Sequence, residues 1–227
     1  ALRFNQIERD NEGLYEGILI RSKAWTPLEE SVLEYAHSNF GDRASIAPRS
    51  WYDNKKKAHI KMKYGPNAHN ALGVLGLTPD EVNVTGLDRA LMAGRWFNEG
   101  EEKVVILPSE MIAAAALNID AADVARGDGS VQIRVFGDQF TVIGIISSKR
   151  MKELKDLDDE TMTPADFAVT GGQAVQEIAE EEQREKQGLE DSKVVIKPFV
   201  HLEPANTLLM PYHSLRNVGS GNPLQSV

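Results

Sequence analysis

The side chains that most often carry chemistry are scattered along this chain. No histidine pair has the spacing of a metal-binding motif such as HExxH or HxH, and the chain contains no cysteine. The histidines are therefore predicted to be surface or capping residues rather than metal ligands: His37, His59, His69, His201 and His213.

Three serines and one glycine-rich turn are the other candidates for hydrolysis or phosphate binding. None of Ser31, Ser109 and Ser147 lies in a G-x-S-x-G elbow. Residues 127–130 (GDGS) are not followed by the lysine of a P-loop, and their composition predicts a tight turn. Residues 158–160 (DDE) lack the ligand spacing of an EF-hand. We therefore predict no catalytic residue, no cofactor and no ATP binding, and a hydrolase is the least favoured interpretation.

The negative charge of the chain is concentrated in one segment. The chain of 227 residues has a formal net charge of -9, and residues 151–191 hold 13 of its 34 acidic but 4 of its 25 basic residues. The remainder is balanced and offers no globally basic surface, so we predict no nucleic-acid binding. The longest apolar run, residues 111–117, is far shorter than the ~18 residues of a membrane span. No signal peptide is visible at the start of the chain.

The first predicted unit is a strand, a helix and a second strand. Residues 18–20 form a short apolar run typical of a buried strand. Residues 26–29 (TPLE) match a capping box with Pro27 at the first helical position, and an apolar stripe continues to residue 40. We expect Gly41 to end this helix in a left-handed conformation. Residues 44–47 are predicted to form the second strand, with Pro48 as its limit.

Residues 57–64 alternate between polar and apolar side chains, which is typical of a half-buried strand. The polar face of this strand carries Lys57, His59, Lys61 and Lys63. That face is either a solvated surface whose lysines protect a sheet edge or a contact surface for anionic lipid headgroups or an acidic partner. Residues 65–67 (GPN) are expected to end the strand.

Further elements follow from apolar runs and turn signals. Residues 78–81 (TPDE) predict a brief helix, residues 109–117 predict an alanine-rich helix, and residues 137–138 (GD) predict a hairpin turn. The acidic segment 152–191 is expected to lie exposed at the tip or flank of a lobe, outside every core. Strands are predicted at residues 72–77, 104–107, 131–136, 140–146, 194–202 and 208–212.

The tetrapeptide GRWF at residues 94–97 has two interpretations. In the structural one, Gly94 allows a close turn, Trp96 or Phe97 fills the core, and Arg95 pairs with an acid. In the functional one, Arg95 contacts a partner protein. Glycine followed by bulky aromatic residues is a common packing device, which favours the structural interpretation.

Six segments in order resemble the extracytoplasmic core domain of MacB/FtsX-type ABC transporter permeases. They are residues 44–49 (ASIAPR), 76–81 (GLTPDE), 91–97 (LMAGRWF), 104–107 (VVIL), 130–146 and 208–212 (LLMPY). The residues that match the motifs are expected to be mainly structural: Pro48, Gly76, Gly94, Arg95, Phe97, Gly137, Gly144, Pro211 and Tyr212. The family has a short loop between the last two segments, whereas this chain has 61 residues there (147–207). It also lacks the family's second β-α-β half, so the first lobe is expected to be incomplete.

The resemblance implies an α+β fold with two lobes. Residues 1–85, rejoined by about 204–227, would form a β-α-β-based, membrane-proximal lobe, and residues 86–203 an inserted, mainly-β lobe that carries the acidic segment. The implied function is a non-catalytic domain on the outer side of the cytoplasmic membrane, either periplasmic or at the cell surface. It would transmit motion that a cytoplasmic ATPase drives through flanking transmembrane helices. Family members export substrates, release lipoproteins or control cell-wall enzymes.

The resemblance also implies partners. One is a second copy of the full-length protein, with which it forms a homodimer, and the other is an extracytoplasmic protein or lipid. The alternative interpretation is a stand-alone extracytoplasmic module that binds a peptide, glycan or lipid.

Overall fold

Strands dominate the computed structural model, which describes residues 2–7, 17–22, 28–52, 60–156, 160–166, 200–218 and 224–227. The strands are β1 (Leu2–Ile7), β2 (Gly17–Ser22), β3 (Arg49–Trp51), β4 (Ile60–Tyr64), β5 (Asn67–Ala71), β6 (Gly73–Leu77), β7 (Leu91–Gly94), β8 (Val104–Pro108), β9 (Gln132–Val135), β10 (Asp138–Ile146), β11 (Thr207–Pro211) and β12 (Leu224–Ser226). The helices are α1 (Glu30–Phe40), α2 (Glu81–Val84), α3 (Ser109–Ala114), α4 (Ala121–Arg126), α5 (Ser148–Glu153) and α6 (Tyr212–Asn217). Short 3-10 helices occupy Leu87–Ala90 and Pro204–Asn206.

The described strands all belong to one mixed sheet. Its order is β1-β2-β12-β3-β6-β11-β8-β10-β9-β4-β5, and β7 pairs with β10 beside this path. The pairs β6–β11 and β8–β10 are parallel, whereas β11–β8, β10–β9 and β4–β9 are antiparallel. A mixed sheet with helices packed on it is an α+β fold, which confirms the predicted fold class.

The central strands of the sheet are buried on both faces. Every residue of β6, β8 and β11 is buried. Val105 and Leu107 of β8 point into one apolar cluster and Val104 and Ile106 into a second, because successive side chains of a strand point to opposite faces. Helices α3 and α4 cover the first cluster, and α5 with the first 3-10 helix covers the second. Each fully buried aliphatic side chain contributes about 1.5–3 kcal/mol.

The first predicted unit has the correct element types, but two boundaries and one cap are wrong. Helix α1 begins at Glu30, so Pro27, which lies outside the described residues, is not at its first helical position. Gly41 has a φ of -55° and is right-handed. The second strand, β3, follows Pro48, and residues 44–47 are not a strand. The position of β3 is set by its pairing with β6 and β12, which are distant in sequence.

Two hairpins refine the predictions for the middle of the chain. The predicted hairpin between β9 and β10 is present, but its positive-φ residues are Phe136 (54°) and Gly137 (94°), one position earlier than expected. Strand β4 ends at Tyr64, as predicted, and Gly65 and Pro66 form a turn after which β5 pairs along the whole of β4. The alternation of buried and exposed residues in β4 is as predicted.

Part of the acidic segment packs into the core, so the expectation that 152–191 lies outside every core is wrong for this part. Asp156, Met162 and Ala165 are buried, and the last two belong to the second apolar cluster. The chain here is paired with residues after the segment, since the Leu202 amide donates to the Pro164 carbonyl at 2.9 Å. Residues 157–159 and 167–199, including most of the predicted strand 194–202, lie outside the described residues.

The predicted division into two lobes remains a prediction. Strands β4 and β5, assigned to the first lobe, are neighbours of β9 from the inserted lobe in the same sheet. Within the part of the chain that the structure describes, no helix has the length and apolar character needed to cross a membrane.

Candidate functional site

Two motif glycines, Gly94 and Gly144, allow the closest approach between strands in the described structure. They are opposite one another where β7 crosses β10, and the Arg95 amide donates to the Ile143 carbonyl at 2.9 Å. Gly94 has a φ of 76°, and a Cβ there would overlap the Ile143 carbonyl oxygen and lie 2.8 Å from the Gly144 Cα. A Cβ on Gly144 would lie 2.9 Å from the Arg95 carbonyl oxygen. Both positions therefore require glycine.

The residues after Gly94 divide between the surface and the core. The side chain of Arg95 is 45% exposed and forms a two-point ion pair with Glu101, with Nη2 to Oε1 at 2.5 Å and Nη1 to Oε2 at 2.8 Å. The hydrogen bond from Arg95 is the main reason that the pKa of Glu101 lies below its ordinary value. Trp96 and Phe97 are buried, with ring centroids 4.9 Å apart. This is the arrangement that the structural interpretation expects, and a partner contact by Arg95 stays a prediction.

A small cavity of about 120 Å³ lies beside Arg95, lined also by Asp123, residues of the 127–130 turn and Thr141. Its charged neighbours are already paired, because Arg126 binds both Asp123 (2.8 Å) and Asp128 (3.3 Å). The described part of the chain contains no group of three or more His, Asp or Glu residues that could hold a metal ion. The cavity therefore offers no constellation for acid–base or metal chemistry.

The remaining motif residues connect the sheet to the helices at its other end. A Cβ on Gly76 would lie 2.7 Å from the Ser50 Oγ and 3.0 Å from Leu215, so glycine lets α6 pack on β6. Pro211 ends β11 opposite Leu77, and Pro48 precedes β3.

Tyr212 joins the C-terminal helix to α1. Its ring packs with Ile20 and Leu28, and burial raises the pKa of its hydroxyl. Arg216 donates to the Tyr212 hydroxyl at 3.0 Å and pairs with Glu30 of α1 at 2.7 Å. The motif residue therefore lies where three elements meet, which agrees with a structural role.

A buried ion cluster of Arg49, Glu81 and Asp156 was not predicted from the sequence. The Arg49 guanidinium donates to both oxygens of Glu81, each at 3.0 Å, and to both oxygens of Asp156. The exposed fractions of the three residues are 4%, 0% and 8%. The Thr85 hydroxyl also donates to Glu81, at 2.8 Å.

The electrostatics of the buried ion cluster depend on one shared cation. Burial by itself lowers the pKa of Arg49, but the attraction of Asp156 and Glu81 outweighs it and raises that pKa above the ordinary value. The cluster ties β3, the start of α2 and the segment after α5 to one another. In the sequence, Arg49 and Glu81 are the last residues of two motif segments, and this was the available signal for the buried ion cluster. The sequence did not show their contact, because the two residues are 32 positions apart.

The predicted polar face of β4 is described at two of its four positions. Lys61 and Lys63 are exposed, whereas Lys57 and His59 lie outside the described residues. Arg134 of β9 is exposed directly opposite Lys63. We call the surface formed by Lys61, Lys63 and Arg134 the basic sheet face.

Comparison with known proteins gives likenesses of fold. No protein-family model and no curated protein matches the chain. Among solved structures, the periplasmic region of MacB from Actinobacillus actinomycetemcomitans is similar with 14% identity and a TM-score of 0.44, over 85% of this chain and 61% of that one. The extracellular domain of the ABC-type transporter YknZ from Gram-positive bacteria is similar with 11% identity and a TM-score of 0.46, over 90% of this chain and 72% of that one. This chain spans about three fifths of the MacB region.

Proposed function

We propose that this chain is a non-catalytic extracytoplasmic domain of an ABC transporter permease subunit, which transmits ATP-driven motion to a substrate or a partner protein. The observation that carries the proposal is the placement of the six motif segments. The segments are far apart in sequence, yet they contribute residues to neighbouring strands of the sheet, and Arg49 is the residue that the first segment contributes to β3. These strands are β3, β6, β11, β8, β10 and β7. The motifs therefore describe one packed scaffold rather than separate local matches.

The scaffold is suited to transmitting force because its ends are tied to its centre. The buried ion cluster links β3 to α2 and to the segment after α5, and the Tyr212–Arg216–Glu30 contacts link α6 to α1. Interiors that are closely packed and cross-linked by buried polar contacts resist deformation and move as units. A displacement applied at one end of such a unit is carried to the other.

The proposal places the ATPase, the flanking transmembrane helices and the second protomer of a homodimer outside this chain. The domain would lie on the outer side of the cytoplasmic membrane, either periplasmic or at the cell surface. The whole transporter determines which substrate is transported or bound. It also determines whether the function is export, lipoprotein release or control of a cell-wall enzyme.

Spin labels test whether the domain moves with ATP. The chain contains no cysteine, so cysteines introduced at the exposed positions Glu34 and Gln139 can be labelled in the full-length transporter after any cysteine outside this chain is replaced. We expect the distances between labels of the two protomers to change between the nucleotide-free and the vanadate-trapped states. The distance from Glu34 to Gln139 within one protomer should stay constant. Unchanged distances between protomers would refute transmission.

A stand-alone extracytoplasmic binding module is the second candidate, and the basic sheet face favours it. The two candidates differ in the sequence that flanks this chain in its reading frame. A transporter domain requires one long apolar segment before residue 1 and three after residue 227. A stand-alone module requires no such set.

A further inference from the structure

The basic sheet face concentrates positive charge in a chain whose overall charge is negative. Lys63 and Arg134 are directly opposite each other on β4 and β9, so their Cβ atoms are about 5 Å apart. Lys61 is two residues along β4, about 7 Å away on the same face. All three side chains are exposed, and none forms an ion pair with another described residue.

Among the described residues, those that share the basic sheet face carry neutral hydrogen-bonding groups or a methyl group and no carboxylate. The exposed residues that share this face on β5, β9 and β10 are Ala68, Asn70, Gln132 and Gln139. Asp138 is opposite the buried Val135, and it therefore belongs to the other face. The first apolar cluster lies on that other face, where Ile133, Val135 and Phe140 point.

This arrangement is not explained by protection of a sheet edge. Edge protection places lysine on the outermost strand, but within the described strands the outermost one is β5, which has no lysine, and β4 lies between β5 and β9. Like charges directly opposite on neighbouring strands destabilise a sheet. A repulsive pair that no carboxylate of the described strands offsets indicates a surface that receives its negative charge from a partner.

We infer that the basic sheet face binds an extended acidic segment of a partner protein. Alternate side chains of an extended peptide lie about 7 Å apart, which equals the spacing from Lys61 to Lys63, so carboxylates at alternate positions can reach both. The neighbouring asparagine and glutamine side chains can hydrogen-bond the peptide backbone. The surface would act in this way whether or not the chain belongs to a transporter.

A lipid surface fits these observations less well than a peptide. Electrostatic attachment to anionic membranes usually uses four to eight basic residues, and the described face has three. The exposed large apolar residues, Tyr35, Met92 and Val200, lie outside the strands of this face, so no described apolar anchor accompanies the cations.

Fluorescence polarisation with model peptides tests the inference. The probe is a labelled heptapeptide, TETETET, and its controls are the neutral TQTQTQT and the isomer TTEEETT, whose glutamates are consecutive. We expect saturable binding of TETETET that weakens between about 0.02 M and 0.2 M salt. The isomer should bind less tightly and the neutral peptide not at all.

Matched double variants assign the binding to this surface. Lys63→Gln with Arg134→Gln should weaken binding of TETETET by about 5- to 30-fold, since each exposed ion pair contributes modestly. Lys149→Gln with Arg150→Gln removes the same charge from exposed positions of α5 and should change it less than about twofold. The first variant should also melt at or slightly above the temperature of the wild type, because it removes a like-charge pair.

Four outcomes would overturn the inference. They are the absence of saturable peptide binding, equal weakening by both double variants, equal binding of all three peptides, and preferential binding to vesicles of phosphatidylcholine with phosphatidylserine. A large drop in the melting temperature of the Lys63→Gln/Arg134→Gln variant would also contradict it, because the face would then have a structural role.

Discussion

Replacing Arg49 with methionine should destabilise the fold far more than the loss of an exposed charge. The substitution removes the guanidinium that Glu81 and Asp156 share in the core. Removal of one partner from a buried ion pair costs about 3–5 kcal/mol because the remaining charge is neither solvated nor paired. Here two carboxylates lose the same partner, so we expect a loss of at least about 4 kcal/mol.

The expected loss is large relative to the stability of a domain. Native domains unfold with about 5–15 kcal/mol, so the variant would lose a quarter or more of that free energy. For a domain of this size, each kcal/mol shifts the melting temperature by about 2–4 °C. The Arg49→Met variant should therefore melt about 8–16 °C below the wild type.

Equilibrium urea unfolding measures the effect through the fluorescence of the buried Trp51 and Trp96. The control Arg126→Met removes a cation that is 57% exposed, and should leave the unfolding free energy nearly unchanged. Asp156→Asn leaves the Arg49–Glu81 pair balanced and should cost clearly less than Arg49→Met.

A triple variant separates charge from packing. Combining Arg49→Met with Glu81→Gln and Asp156→Asn removes every charge of the buried ion cluster and should recover much of the lost stability. If Arg49→Met and Arg126→Met have equal effects, or if the triple variant is less stable than Arg49→Met, the account of the buried ion cluster is refuted.

Three other predictions follow from the described contacts. Gly94→Val should destabilise the fold by more than about 3 kcal/mol, because the valine would have a left-handed backbone and its Cβ would overlap β10. Arg95→Ala should cost less than about 1 kcal/mol. Equal melting temperatures of the two variants would contradict this prediction. Replacing residues 152–191 with a glycine–serine linker should cost several kcal/mol of stability because it removes the buried residues Asp156, Met162 and Ala165. Replacing residues 167–191 alone should cost about 1–2 kcal/mol. Denaturant titrations of both variants would measure the difference. Mg-ATP should not shift the melting temperature of the isolated chain, and a stabilisation of several degrees would show an unpredicted nucleotide site.

Local patterns in the sequence determined much of the secondary structure. Strand periodicity and turn chemistry depend on neighbouring residues, so the sequence predicted the features that rest on them. These are the alternation in β4, the continuous apolar runs of β6, β8 and β11, and the turn before β10. Gly94 and Trp96 also matched a packing device that short-range sequence can display. The α+β fold class, in contrast, was what the resemblance of the six motif segments implied.

Only the tertiary structure decided the sheet order, the limits of β3 and the partners of the charged residues. Asp156 and Arg49 are 107 positions apart, and nothing in the polar sequence around Asp156 distinguishes it from the other acidic residues of the segment. Met162 and Ala165 are buried where this segment pairs with the chain at Leu202. No periodic pattern in the sequence indicates that contact. Arg134 joins Lys63 through strand pairing. Such contacts depend on which distant segments become neighbours, and a residue's type and immediate neighbours do not encode that choice.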